Sequence, residues 1–348
     1  MNTKHQRLHQ LFRLLPVVFC LIVLSWSESL YSQNAPMVVA EKLNFPTGIA
    51  VHPSDGSVFV ADSGNQRIVR IDKGEIREVI VGFPLGDSLT PTTPPLSALA
   101  VSFLDENTLI VGTAGKEGKR GQLRAYTIDD KVGPPINEKD YLRSLVLRAD
   151  DGEYATKFWG VVTTSLGVFA LGQSGDGTGW LGHAPIDQDA ISNFSSAVRQ
   201  SRFRDLGHSA GMTLSPEGYL VLLFTGAFGQ SGDSTILYLD LDGQKLGQFA
   251  IGHGDVVGAA VAPHSRMLYF CDNSGTTIEP SGVYRLVADS STQGFHTELV
   301  AELKGPTAMA FDHEGRLFVS CTGAVAADGS TDMGFVVRID GLDKTEDH

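Results

Sequence analysis

The chain has 348 residues, 42% of them hydrophobic and only 19% charged, and 40 acidic against 27 basic side chains leave a formal net charge of −13. That composition supports a sizeable core and excludes a disordered chain. It also argues against a nucleic-acid partner, which needs a basic footprint, and three cysteines are too few for a disulfide scaffold.

Residues 1–32 have the layout of a secretory signal peptide. Lys4, Arg7 and Arg13 precede an apolar run over residues 14–24, and a small and polar stretch follows. Secretion or a periplasmic location is the expectation. An uncleaved segment would instead anchor the chain, the one membrane association the sequence offers. Cys20 follows the bulky Val17, Val18 and Phe19, which is not a lipidation pattern.

From residue 45 onward one pattern recurs six times. It begins as Phe45-Pro46-Thr47-Gly48-Ile49-Ala50-Val51 and ends as Pro306-Thr307-Ala308-Met309-Ala310-Phe311, with a Gly or Ala aligned at 48, 98, 160, 211, 258 and 308. The intervals between copies are 50, 62, 51, 47 and 50 residues. Polar turns such as His52-Pro53-Ser54-Asp55-Gly56 and Asp312-His313-Glu314-Gly315 separate each first strand from a second. Second strands are expected at 58–62, 109–113, 168–172, 220–224, 268–272 and 317–321. Third strands are expected at 67–72, 122–128, 180–187, 235–240, 282–287 and 335–340. A fourth is visible at 75–81 and at 298–303.

The sixth copy has no residues left for a fourth strand. The leader Val38-Val39-Ala40-Glu41-Lys42-Leu43 matches Leu299-Val300-Ala301-Glu302-Leu303-Lys304, so the N-terminal strand is expected to complete the last sheet. The fold class is all-β, a six-bladed β-propeller over residues 36–343, closed by that strand and followed by an acidic tail at 344–348. Two β-sandwiches are the other arrangement of this many strands. Closure favours the propeller because it removes unpaired edges. The small aligned position suits first strands that converge on a central channel. Cys271 and Cys321 occupy adjacent strand positions on separate blades, which favours two small buried side chains over a disulfide.

The first copy, with Pro46-Thr47-Gly48-Ile49-Ala50-Val51 and then Val58-Phe59-Val60-Ala61-Asp62-Ser63-Gly64-Asn65-Gln66-Arg67-Ile68, resembles an NHL repeat. In that family the propeller is mostly a binding or scaffold module, and a minority are enzymes such as peptidyl-hydroxyglycine lyases. The architecture also resembles the SMP-30/gluconolactonase group, which holds a divalent metal with a Glu, two Asn and an Asp. The positions matching three of those ligands carry Asn44, Ala210 and Thr307, so the resemblance does not bring the metal site with it.

Residues before each first strand and after each second strand share one face of a propeller, the mouth of the channel. Thr47, Lys157, His208, His253, Asp255, Asp62, Asn65, Asp272, Asn273, Gln173 and Asp176 fall there. His208 and His253 precede the first strands of adjacent copies and are the candidate catalytic pair; with Asp255 or Asp272 they would suit a divalent metal or a general base. Lys157 beside Phe158-Trp159 offers a corner for an acidic ligand or a sugar. Asp62 and Asp272 end second strands, where an Asp ties a loop to backbone. Candidate ligand-binding residues are therefore Lys157, Trp159, Asp255, Asp272, Asn273, Asp62 and Asn65. His52 and His313 lie on the opposite face and are expected to be solvated. Arg199, Arg202 and Arg204 form a local basic spot. Two functions remain open. One is a binding or scaffold module with a small molecule or protein at the mouth; the other is a metal-assisted hydrolase or lyase there. No cofactor is predicted beyond a possible divalent metal.

Overall fold

The computed structural model describes residues 35–344 except 89–93, 117–118, 130–132, 149–153, 175–176, 178, 188–189, 199–202, 204, 228–229, 275–279, 290–293 and 324–332. The signal segment, most of the acidic tail, Asp176 and the three arginines lie outside the described residues.

Six sheets, antiparallel but for one short added strand in blade 1, form six blades around a channel. The inner strands are Pro46–Val51, Ala98–Asp105, Lys157–Thr164, His208–Leu214, Val256–Val261 and Pro306–Phe311. The second strands, Val58–Asp62, Thr108–Thr113, Gly167–Gln173, Leu220–Thr225, Leu268–Asp272 and Leu317–Cys321, are almost wholly buried, because they are flanked by blades on both faces. They accordingly read as continuous apolar runs. The N-terminal strand Met37–Leu43 pairs with Gly334–Ile339, placing Met37 opposite Arg338 and Val38 opposite Val337. The ring is therefore closed by the two ends of the propeller meeting in blade 6.

The apolar cores lie between blades. Phe59, Ile68 and Ile80 of blade 1 meet Leu109, Val111 and Tyr126 of blade 2. The closing interface packs Ala40, Leu43, Phe318 and Val336 of blade 6 against Ile49, Val60 and Val69 of blade 1. Cys271 and Cys321, one register position apart, share the core between blades 5 and 6 and are both free. Burial pushes both thiols above their usual range. Hydroxyls add polar ties between blades: Thr47 donates to Ala98 O at 3.0 Å, Thr163 to Phe103 O at 2.6 Å and Thr307 to Pro46 O at 2.8 Å.

Every inner strand carries a bulge at the same place, where one residue is skipped against its partner strand. The skipped residues are Thr47, Leu99, Trp159, Ala210, Val257 and Thr307. In blade 2 the ladder pairs Ala98 with Thr113 and Ala100 with Gly112, so the aligned small residue there is Ala100 and not Ala98, a correction to the repeat frame. A Cβ on Gly48 would lie 2.5 Å from Leu99 O of blade 2, and one on Gly258 2.9 Å from Ala308 Cα of blade 6. The small residue is thus demanded by the neighbouring inner strand, which approaches backbone to backbone.

The long interval between copies two and three is an excursion. Ile136–Asn137 adds a short parallel strand to blade 1, pairing Ile80 with Ile136, before Arg143–Leu145 completes blade 2. Glu138 anchors it through a buried ion pair with Arg124, and the Tyr126 hydroxyl donates to Glu138 O at 2.8 Å. Burial pushes that phenol up to about 12.

His52 corrects another expectation: it is 2% exposed. Its Nε2 donates to Glu106 O at 2.9 Å and its ring meets Phe103 edge-on, so it staples blade 1 to blade 2. His313 is solvated as expected. The C-terminal segment is clasped to blade 5. The Asp343 carboxylate accepts from Ser265 N at 2.6 Å and His264 N at 2.9 Å, and the Tyr269 hydroxyl donates to Leu342 O at 2.8 Å.

Two outcomes follow for stability. Gly48→Val should lower the free energy of unfolding by about 2–3 kcal/mol through overpacking against Leu99, measured by urea denaturation; an unchanged midpoint would show that the inner strands are not in close contact. Burial alone would raise the Asp343 carboxyl, but the hydrogen bonds from Ser265 and His264 hold it below its ordinary value. A depressed folded-state value contributes stability above about pH 4 that is lost as pH falls through the folded value. Asp343→Asn should therefore lower the melting temperature at pH 7 and flatten its decline below pH 4.

Candidate functional site

The channel has a volume of about 940 Å³ and reaches from one face of the propeller to the other. At the rim expected from the sequence it is lined by Thr47, Trp159, Gln173, His208, Thr225, Asn273 and Thr307. At the far rim it meets Pro53, Ser54, Asp105, Glu106, Asp312 and His313. The first rim is built of hydroxyls, amides, an indole and an imidazole, with no carboxylate, ammonium or guanidinium among its described lining residues.

One part of that rim is a fixed polar chain. Trp159 Nε1 donates to Gln173 Oε1 at 2.7 Å. Indole N–H only donates, so this bond assigns the orientation of the Gln173 amide. Gln173 Nε2 must then face His208, whose Nδ1 lies 3.0 Å away. Nδ1 accepts, and the imidazole proton sits on Nε2. The bulge aims Trp159 at the channel, the end of a second strand places Gln173, and the first residue of the next inner strand places His208. Gly177 completes the corner: with φ at +91° and a hypothetical Cβ 2.3 Å from the His208 ring, its own backbone approaches the imidazole as no larger residue could.

The rest of the expected site is dispersed. His253 does not join His208. It is 1% exposed, packed by Phe270 and Tyr284, with Nδ1 donating to Asp272 Oδ2 at 3.0 Å and Nε2 3.0 Å from the Thr297 hydroxyl. Asp272, His253 and Thr297 copy the order of an acid–base–nucleophile relay, yet none of the three lines the channel. Asp272 also accepts from Ser274 N at 2.7 Å. Burial would raise its carboxyl, but the bonds from His253 and Ser274 bring it below the ordinary value. Asp62 is fully buried and accepts from Asn44 N at 2.6 Å, Asn65 Nδ2 at 2.8 Å and Arg67 Nε at 2.7 Å. Asn65 is consumed in that knot. The main chain of Asp255 accepts from Asn273 N at 3.0 Å, and its side chain is not among the channel lining. Lys157 is half-buried away from the channel, and burial lowers its ammonium group against the opposing pull of Asp87. Of the candidates, Trp159, His208 and Asn273 line the channel.

The positions that match the metal ligands of the SMP-30 group do not fit a metal. Asn44 is exposed and packs against Gly64, Ala210 has no side-chain oxygen, and the Thr307 hydroxyl is spent on Pro46 O. A divalent cation needs several oxygen ligands. Among the described residues no group of three or more His, Cys, Asp or Glu is arranged to hold one.

Residues 43–71 match the family model for the NHL repeat. No curated protein matches the sequence. Solved structures of similar fold include the gluconolactonase of Xanthomonas campestris, at 12% identity and a TM-score of 0.59, covering 89% of this chain and 91% of that one. They include the soluble aldose sugar dehydrogenase of Escherichia coli, at 13% identity and a TM-score of 0.57 over 88% of this chain and 99% of that one. The PQQ-bound aldose sugar dehydrogenase of Streptomyces coelicolor aligns at 14% identity and a TM-score of 0.54, over 89% and 99%. The chain thus carries one NHL repeat at residues 43–71, and its fold is that of a six-bladed β-propeller.

The polar chain makes a definite prediction. In ¹⁵N NMR of the imidazole, neutral His208 should carry its proton on Nε2. Gln173→Glu should move it to Nδ1, and a wild-type Nδ1–H signal would contradict the network.

Proposed function

We propose that this protein is an exported binding module that holds a small, neutral, hydroxyl-rich molecule at the Trp159–Gln173–His208 rim of its channel. The carrying observation is that the described lining residues of this rim include no carboxylate, ammonium or guanidinium group and that the donors and acceptors of Trp159, Gln173 and His208 are held in fixed orientations. Preorganised neutral groups around an aromatic face suit a ligand that offers hydroxyls and an apolar ring face, such as a monosaccharide or sugar lactone. The Asn273 amide makes no side-chain hydrogen bond to a described residue and lines the same rim. The like-folded proteins bear the names gluconolactonase and aldose sugar dehydrogenase, which makes sugars and their lactones the first compounds to test.

The hydrolase reading has less support. The two histidines are apart, and the Gln173 amide occupies His208 Nδ1, the nitrogen that would act as a base. Export rests on residues 1–32, and a protein partner at the same mouth would compete with the small ligand.

Calorimetric titration with a panel of monosaccharides and lactones tests the reading. At least one should bind, and Gln173→Ala should weaken it about tenfold by leaving Trp159 and His208 without their shared partner. No binding across the panel, or binding indifferent to Gln173→Ala, would reject the site. N-terminal sequencing of protein recovered outside the producing cytoplasm should begin near residue 33, whereas an intact N-terminus would favour the anchor.

A further inference from the structure

Below the polar rim the channel changes character. Val51, Phe103, Met212, Leu214, Val261 and Phe311 line it, and each is only half-buried. These side chains come from blades 1, 2, 4, 5 and 6, with Thr163 in the corresponding place of blade 3, so the apolar belt spans five of the six blades. All but Met212 stand three residues after the small residue of their inner strand, so the belt lies at the far end of the strands, beside Asp105, Glu106 and Asp312. A six-residue strand is about 20 Å long, so a tail must run most of the length of the inner strands from the polar rim to reach this belt. Apolar side chains left half-exposed inside an enclosed space gain from any apolar occupant that displaces water. A volume of about 940 Å³ is at the large end of small-molecule sites, and exceeds what a single sugar-sized head would fill.

The geometry points to an amphiphile as the ligand: a neutral polar head at Trp159, Gln173 and His208, and an unbranched or aromatic apolar tail running down the channel past Met212. This deepens the binding reading given above and rests on it for the head. The direction of the molecule follows from the two rims. The polar chain of Trp159, Gln173 and His208 offers neutral partners to a head, whereas the carboxylates of the far rim would be desolvated by an apolar one. The tail therefore enters from the neutral side and stops short of Asp105 and Asp312. A second apolar surface exists on the outside, where the exposed Phe249 and Phe295 rings of blades 4 and 5 meet at 5.1 Å. That surface is open, with no enclosing wall, and it serves as a control.

The test uses the purified protein and four alkyl β-glucosides, methyl, butyl, hexyl and octyl, below their micelle concentrations, with affinity measured calorimetrically. Affinity should rise by about fourfold per added methylene before it levels off at the depth of the channel. Met212→Gln should remove most of the rise while leaving methyl glucoside binding unchanged. Val261→Thr, a closer match in shape, should reduce the rise as well, and it replaces Met212→Gln if that variant fails to fold. Phe295→Ser should change nothing. Equal affinity for methyl and octyl glucoside would overturn the placement of the tail and leave the head site standing. A chain-length dependence abolished by Phe295→Ser and unaffected by the channel variants would overturn it too, by moving the tail to the outer surface. Failure of all four glucosides to bind would overturn both the tail and the head.

Discussion

The structure depends on ring closure. A blade of four strands has two apolar faces and no way to bury both by itself. Each face here is covered by the next blade, so the cores fall between blades and none is complete in isolation. The interface between blades 6 and 1 is the one that chain connectivity alone does not bring together. It forms because residues 37–43 travel with the last sheet, carrying Ala40 and Leu43 into that core. The channel is a by-product of the same constraint. Six inner strands that approach backbone to backbone at Gly48, Ala100, Gly160, Gly211, Gly258 and Ala308 leave a lumen whose width is set by the ring. The bulge beside each small residue sets one side chain per blade out of register, and the blades use it differently: Thr47 and Thr307 tie blades together, Leu99 is buried in a core, and Trp159 lines the channel.

Much of this was legible in the sequence, because repetition turns six weak signals into one strong signal. The strand positions, the blade number and the closing role of the N-terminal strand could all be read from aligned apolar runs and their turns. The failures have local causes. Leu96-Ser97-Ala98-Leu99-Ala100-Val101 offers a small residue at both 98 and 100, and only the ladder to Gly112 and Thr113 decides the frame. The excursion at 136–137 is two residues long and leaves no periodic trace. His52 sits in a turn that reads as solvent-facing, yet a neighbouring blade covers it, and coverage by a different repeat is not written in the local sequence.

The site was legible as a face but not as a constellation. His208 and His253 both precede inner strands, which put them on the expected side of the propeller. His208 is the first residue of its strand, paired with Thr225, whereas His253 lies three residues before Val256. That difference in offset turns one ring toward the lumen and the other into the core between Phe270 and Tyr284. Asp62 and Asp272 were candidate ligands whose place at the end of second strands also marked them as loop ties, and they fix loops in the structure. Gln173 belonged to the right face, but its part depends on Trp159 and His208 in different blades being within reach of one amide. No spacing rule encodes that.

The neutral rim and the apolar channel together form the account's central claim, and the most direct measurement is the location of a bound molecule. A crystal structure of the protein with hexyl β-glucoside should show the sugar between Trp159, Gln173 and His208 and the alkyl chain passing Met212 within the channel. A sugar held instead at the far rim by Asp105 and Asp312, or a molecule seated on Phe249 and Phe295 outside the ring, would contradict it.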